Sequence, residues 1–296
     1  MRRKETNDLA KRRYRWLVRV ATYAENVHRE QIEKQLNPSP RETCLRGLFL
    51  RAALGLRTMK KLEQPSDLQA LAACTRSLVE ISVDMLLVHE DKGSACSERM
   101  EAWQESAKLK AAMLLVEHFR SQNREVPSEY KPQADFVDNK KSEIEKKRIG
   151  LWTFYTRGTN RDSQTSTIDE KTIERWKRQH PQRWTNRSLR DDMKIVDEHR
   201  RDWLLKVFGL TLTEFYRAEL SWINWYVHGS TLTGINNISD ETFTRLCARC
   251  YEVSAYLGMI CAHIIQSDYR LFELFPEMQI EWERLLNHRD LARSLR

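Results

Sequence analysis

The sequence is poor in the residues that break helices: its 296 residues include 9 glycines and 7 prolines. Strands and tight turns use both residue types heavily, so their scarcity favours an all-α protein. No apolar run approaches the roughly 18 residues of a membrane span. The basic N-terminal segment is not followed by the apolar stretch of a secretory signal. We therefore expect a helical, cytoplasmic protein without a membrane partner.

Several motifs that carry common chemistry are also missing from the sequence. It has no glycine-rich phosphate loop, dinucleotide fingerprint, G-x-S-x-G elbow or H-E-x-x-H zinc helix. Its six cysteines form no dense framework, which indicates reduced thiols. Cys247, Cys250 and Cys261 fall on the apolar stripe of one helix, where burial is the ordinary explanation. We expect no metal and no cofactor.

Positive charge is concentrated in two places. The net charge is +8, and residues 139–206 contain 18 Lys and Arg against 11 Asp and Glu. Residues 1–15 contain 7 Lys and Arg against Glu5 and Asp8. Such clustering is typical of a surface that binds a polyanion, but it also occurs on solvated helix faces that have no partner. Charge alone leaves both interpretations open.

Helix start and stop signals divide the chain into segments. Ser39, followed by Pro40 and Glu42, predicts a capping box at the start of a helix. Ser66 and Gln69 predict a second box, and Gly209 predicts the end of a helix that begins at Ser188. Helical spacing in the first segment predicts an apolar stripe of six residues: Leu9, Trp16, Val20, Tyr23, Val27 and Ile32.

These segments predict a multi-helix bundle with a basic, loop-rich insertion between two helical halves. Residues 1–122 form the N-terminal half. Residues 123–187 form the insertion, because prolines and a long polar run interrupt the helical pattern there. Within it we expect a helix near Ser142–Tyr155 and a short basic helix that Thr167 opens and that ends before Pro181. Residues 188–296 form a C-terminal half that packs on the first.

One candidate site lies in the segment YRAELSWINWYVHGS, residues 216–230. On an α-helix, eleven residues return almost to the starting face, so Arg217 and His228 share a face and Ser221 lies near it. Gly229 is expected to end this helix. His228 would then be held at an accessible helix end, where it could act as a general acid or base. The alternative is a packing histidine that bonds one backbone carbonyl.

A second candidate is the pair Arg76 and Glu80, four residues apart in a strongly apolar helix. The two side chains share one face. They form either a buried ion pair or an exposed salt bridge, and the sequence leaves both open.

Both candidates lie in blocks that carry a resemblance. Arg76, Ser77 and Glu80 fit an Arg-Ser-Leu-x-Glu helix, and the later block has Tyr216, Ser221, His228 and Ser230. Over roughly residues 45–235, this pattern resembles a family of uncharacterised bacterial all-helical proteins. The resemblance implies a fold more than an activity.

A further similarity is to HEPN domains, helical bundles of which many are metal-independent ribonucleases. If the protein is such a ribonuclease, we expect His228 as general acid or base and Arg76 or Arg217 as the phosphate-stabilising cation, with Glu80 and Ser221 beside them. The ten residues between Arg217 and His228 depart from the shorter HEPN spacing.

Nucleic-acid contacts are expected in the basic insertion. RNA or single-stranded DNA would be held by five residues: Trp176, Lys177, Arg178, Arg183 and Trp184. Two functions therefore stay open. One is a nucleic-acid- or protein-binding module of a bacterial defence or mobile-element system, which could be a homo-oligomer. The other is a HEPN-like ribonuclease.

Overall fold

The structure is a computed structural model that describes residues 2–32, 38–91, 95–159, 183–185, 187–223 and 239–293. Within these ranges the chain is helical and has no strand, which confirms the all-α prediction. The helices are α1 (Arg2–Ile32), α2 (Pro40–Met59), α3 (Leu68–Glu90), α4 (Ala95–Arg120), α5 (Lys131–Thr159), α6 (Leu189–Phe208), α7 (Leu212–Phe215), α8 (Asp240–Tyr269), α9 (Leu271–Leu274) and α10 (Pro276–Arg293). No helix in these ranges is both long enough and apolar enough to cross a lipid bilayer.

The chain divides into two compact units. Unit one combines Met1–Gly93 with Leu189–Arg296, and unit two is Ser94–Ser188. This division differs from the predicted boundary after residue 122, because α4 belongs to unit two and not to an N-terminal half.

Within the predicted insertion, Lys131–Thr159 is one continuous helix. It includes the helix predicted near residues 142–155 and extends it over the segment around Pro132, where a loop was predicted. Pro132 was read as a breaker but lies in the first turn, where a proline's missing N–H removes no helical hydrogen bond. Residues 160–182, which hold the predicted short basic helix, lie outside the described ranges.

Helix α8 is the centre of unit one. It runs parallel to α1, because Arg13 contacts Glu252 near the middle of both helices and Tyr23 contacts Gln266 further along both. Helix α2 runs antiparallel to α8, since the Tyr269 hydroxyl donates to the carbonyl of Glu42. The middle of the stripe predicted on α1 is buried in this core, since Trp16, Val20, Tyr23 and Val27 are at most 3% exposed. Leu9, nearer the start of the helix, is half-buried.

Helices α3 and α8 are also parallel, and their polar side chains meet in a constant register. Each of three hydrogen-bonded pairs joins residues 179 positions apart, and successive pairs are seven residues further along both helices. The pairs are Thr75 with Ser254 at 2.9 Å, Ser82 with Cys261 at 3.3 Å, and His89 with Asp268 at 3.0 Å. A seven-residue repeat is the coiled-coil spacing, so the two helices pack as a parallel pair with a polar contact in each heptad.

The helix boundaries test the predicted caps. The Ser39 hydroxyl accepts from the Glu42 N–H at 3.3 Å, and the Glu42 carboxylate accepts from the Ser39 N–H at 2.7 Å, which confirms that capping box. The box predicted at Ser66 and Gln69 is wrong. Asp67 is the N-cap of α3, and its carboxylate accepts from the Gln64 N–H, which folds Pro65–Asp67 into a 3₁₀ turn. Gly209 follows α6 with φ of 71°, as predicted for a C-terminal glycine.

In unit two, α4 and α5 form an antiparallel hairpin. Arg120 near the end of α4 pairs with Asp138 near the start of α5, at 3.1 Å. The hairpin has its own small apolar core: Leu109, Ala112, Val116, Ala134, Val137 and Ile144.

Candidate functional site

Arg76 and Glu80 form a pair at the surface of α3. The Nε–Oε1 distance is 3.4 Å, and the side chains are 33% and 42% exposed. The buried alternative for this pair is therefore wrong, because both charged groups keep much of their hydration. Their positions also show that α3 buries its apolar residues on other sides, against α2 and α8.

Glu80→Ala is expected to lower the free energy of unfolding by only about 0.3–0.5 kcal/mol, since an exposed i,i+4 pair contributes little. The measurement is urea denaturation of the variant beside wild type, with Glu80→Gln as a matched control of nearly equal volume. A loss of several kcal/mol would show that Glu80 has a second, buried role.

The predicted face of Arg217 and Ser221 is altered by local geometry. Tyr216–Leu220 is a π-helical turn that follows α7 directly. A π turn contains more residues than an α turn, so α-helical spacing does not carry over from Arg217 to His228. Arg217 and Ser221 are both exposed. His228 and Gly229 lie outside the described ranges, so their roles stay predictions.

Two of the predicted nucleic-acid contacts can be located. Trp184 is 6% exposed, so its ring offers no face to a base, and the stacking role predicted for it is wrong. Arg183 beside it is half-buried. Trp176, Lys177 and Arg178 lie outside the described ranges.

The π turn positions a buried ion network that sequence reasoning missed. Glu219, within this turn, accepts hydrogen bonds from Arg249 Nε at 2.9 Å and from Trp222 Nε1 at 3.1 Å. Arg249 also donates to Glu252 at 2.5 Å, and Arg13 of α1 lies 3.0 Å from the same carboxylate oxygen. Two arginines and two glutamates thus balance in charge where α1, α8 and the π turn meet.

Burial and charge act in opposite directions on Arg249. Burial alone would lower the pKa of its guanidinium, but the Glu219 and Glu252 carboxylates raise it overall. Arg249 is therefore held as a cation. Because both of its carboxylate partners are buried, the network fixes the π turn against α8.

An apolar pocket lies next to this network. Leucines of α6 and α7, Phe215, and apolar side chains of α8 line it, with Arg249 at its polar end. Its volume is about 50 Å³, which is enough for one or two water molecules.

A second polar cluster closes one end of the α3–α8 pair. Arg41 donates from Nη2 to Asp268 at 3.0 Å and to the His89 carbonyl at 3.0 Å. Its Nε donates to the carbonyls of Val88 and Asp91. Arg41 thereby caps the C-terminus of α3, whose last carbonyls have no partner within the helix.

The His89–Asp268 pair in this cluster has the geometry of a dyad that orients an imidazole. The Nδ1–Oδ1 distance is 3.0 Å, and the side chains are 11% and 10% exposed. Arg41 binds the same carboxylate and also donates to the last carbonyls of α3, so the contacts around the pair stabilise the packing of the helices. We therefore assign the cluster to the packing of α2, α3 and α8.

His263 lies one turn away from this cluster, between two tryptophans. Its ring stacks on Trp203 at 5.1 Å and on Trp282 at 5.8 Å, measured between centroids. Burial lowers the pKa of His263 below its ordinary value of 6.5, and the charges of His89 and Arg200 lower it further. His263 is thus kept neutral in the folded protein.

The free energy of unfolding is expected to fall as the pH drops below about 6.5, because the unfolded chain then binds the proton that folded His263 resists. Above that pH the imidazole is neutral in both states and contributes nothing. His263→Phe, which retains a ring between the tryptophans, should remove a slope of up to about 1.4 kcal/mol per pH unit. Urea denaturation between pH 5 and 8 measures this slope. His199→Gln, which changes an exposed histidine of α6, is the control. An unchanged slope would contradict this account.

The cysteines of α8 are buried as predicted. Cys247, Cys250 and Cys261 are at most 4% exposed, and burial raises the pKa of each thiol to about 12. Protonated thiols are poor metal ligands and poor nucleophiles. In the described part of the chain, no group of three His, Cys, Asp or Glu side chains is arranged to hold a metal ion.

The most distinctive exposed feature of unit one is a basic face on α1 and α2. Helix α1 exposes four cations within about 100° of its circumference, and the neighbouring end of α2 exposes two more. We call this set the α1–α2 basic face: Lys11, Arg12, Arg15, Arg19, Arg57 and Lys61. Two nearby carboxylates, Glu25 and Glu63, contact residues outside this set. Glu25 pairs with Lys60 at 3.5 Å, and Glu63 accepts the Tyr14 hydroxyl.

Comparisons of the chain with protein-family models, with curated proteins and with solved structures return no match.

Proposed function

We propose that the protein binds nucleic acid through the α1–α2 basic face. The observation that supports this function best is the run of exposed cations on successive turns of α1. Between Asp8 and Glu25 this helix carries no acidic residue. A packed helix that needed solubility alone would be expected to mix charges of both signs.

The spacing of these cations suits a chain of phosphates. Lys11, Arg15 and Arg19 follow each other at four-residue steps, which is about 6 Å along the helix axis per step. Each Lys or Arg that neutralises a phosphate releases condensed counterions, and this release drives sequence-independent binding. The apolar side of α1 is buried in the bundle, so the cations are presented from a rigid support.

The part of the basic middle segment that precedes α6 extends the proposal. In this proposal Lys177, Arg178 and Arg183 supply further phosphate contacts. Trp184 takes no part, because its ring is buried. A cellular role in a defence or mobile-element system and the ribonuclease activity of His228 with Arg76 or Arg217 remain predictions from the sequence. Binding is the part of the function that the described side chains support.

Nucleic-acid binding is expected to weaken steeply with salt, by roughly 10³-fold between about 50 mM and 200 mM if six phosphates are contacted. Fluorescence anisotropy with labelled oligonucleotides measures it. Lys11→Ala/Arg12→Ala/Arg15→Ala should lower the slope of log affinity against log salt by about 3, one for each lost contact. Lys177→Ala/Arg178→Ala/Arg183→Ala tests the middle segment separately.

The matched control removes the same kind of charge elsewhere. Arg190→Ala/Arg201→Ala/Lys206→Ala changes three exposed cations of α6, and it should leave the salt slope within error of wild type. Absence of binding at low salt, or an equal loss in the α1 and α6 variants, would overturn the proposal.

A further inference from the structure

We infer that the nucleic acid is double-stranded, and that α1 and α2 each contact one of its two phosphate backbones. The inference rests on the proposed function and adds the class of substrate. It is carried by the arrangement of the cations in two rows and by the inward placement of the aromatic rings.

The cations form one row on each helix. On α1 the row is Lys11, Arg15 and Arg19, with Arg12 beside it. The second row is Arg57, in the last turn of α2, and Lys61, two residues after the helix ends; both are exposed. Along the α1 row the side chains repeat at about 6 Å, which suits contact with a single phosphate backbone.

The two rows lie side by side. The Tyr14 hydroxyl donates to the Lys60 carbonyl at 2.7 Å, which places the end of α2 beside the middle of the α1 row. Packed helices have axes about 8–10 Å apart, and exposed side chains on both diverge outward. The rows are therefore separated by roughly 10 Å or more. A single strand presents only one row of phosphates, whereas a duplex presents two across each groove.

Aromatic rings are directed away from this face. Proteins that bind single strands stack bases on exposed aromatic side chains. On α1, Trp16 and Tyr23 are buried, and the Tyr14 hydroxyl is held by Lys60 and Glu63. On α2, Phe49 is buried. Within these two helices as described, the face offers phosphate contacts and no stacking platform, which suits a duplex whose bases are already stacked.

A lipid surface fits the face less well. A helix that binds a membrane interface inserts its own apolar side into the lipid. The apolar side of α1 packs against α2 and α8, where Leu17 and Val20 are fully buried, so it is not available to lipid. Helix α2 exposes Leu50 and Leu54, which are two side chains and not a continuous apolar stripe.

The test compares four labelled probes of equal length with the full chain: duplex RNA, duplex DNA and one single strand of each. We expect a duplex to bind at least tenfold more tightly than its single strand. Lys11→Ala/Arg15→Ala and Arg57→Ala/Lys61→Ala should each lower the salt slope on the duplex by about 2. Circular dichroism confirms that the variants fold, and Arg201→Ala/Lys206→Ala is the charge-matched control. The affinities for duplex RNA and duplex DNA show which of the two duplexes the protein prefers.

The outcomes separate the inference from the proposed function. Equal or tighter binding of single strands, with the α1 variant still impaired, overturns the duplex inference and leaves nucleic-acid binding intact. A slope lowered by the α1 variant but not by the α2 variant overturns the two-row contact. No binding to any of the four probes overturns both, as does binding to vesicles of anionic lipid in place of nucleic acid.

Discussion

Glu252→Ala is expected to lower the free energy of unfolding by about 3–5 kcal/mol, because it leaves buried arginine charge without its carboxylate. The Glu252 side chain is 0% exposed and contacts both Arg13 and Arg249. Arg249 would retain Glu219, but Arg13, whose side chain is 11% exposed, would lose the ion pair that joins α1 to α8. Chemical denaturation followed by circular dichroism measures the loss.

Two controls separate the charge effect from the loss of volume. Glu252→Gln keeps the size and some hydrogen bonds, so it should lose part of the same free energy. Glu241→Ala removes a carboxylate that pairs with exposed Arg245 on the same helix, and it should cost less than about 1 kcal/mol. Equal effects of Glu252→Ala and Glu241→Ala would show that the ion network is not what stabilises this junction.

Gly258→Val is expected to lower the free energy of unfolding by about 1–3 kcal/mol, because the new side chain has no room. A Cβ at Gly258 would lie 2.8 Å from Leu56 Cδ1 and 3.0 Å from Val20 Cγ1. Both neighbours are fully buried, so neither can move into solvent. Thermal or urea denaturation measures the effect.

Gly47→Val is the matched control for this substitution. Gly47 lies on the exposed side of α2, and a Cβ there meets no atom within 4 Å. The same change should shift stability by no more than about 0.5 kcal/mol, with a small gain from helix propensity. If both variants lost the same free energy, the cause would be a valine in a helix and not the close approach of α8 to α1 and α2.

Local features of the fold were predictable from the sequence. The capping box of Ser39 and Glu42 and the glycine after α6 depend on residues a few positions apart, so their signals are complete in the sequence. The buried stripe of α1 follows from periodicity alone. The box at Ser66 failed because Asp67, one residue later, competes for the same helix start. The prediction of a loop around Pro132 failed because proline disrupts the interior of a helix but is tolerated in its first turn, and the sequence alone does not distinguish the two positions.

Long-range features were not predictable in this way. The partners of Arg249 in the ion network include Glu219, 30 residues away, and the pairs between α3 and α8 span 179 residues. A sequence does carry one signal for the second feature: polar residues recur every seven positions in two otherwise apolar helices. The environment of Arg76 and Glu80 was also undetermined, because a shared helical face does not say which side of the helix meets the core.

The parallel pairing of α3 with α8 has a consequence for the order of folding. Its contacts close a chain segment of 179 residues, whereas the Arg120–Asp138 contact of the α4–α5 hairpin closes 18. Loop-closure entropy makes the longer closure costlier by about 2 kcal/mol. During synthesis, α1, α2 and α3 therefore emerge from the ribosome before α8, their packing partner, exists. The α4–α5 hairpin, which follows α3 in the sequence, can already form at that stage. The core of unit one is completed only when α8, whose contacts with α3 span 179 residues, has been made.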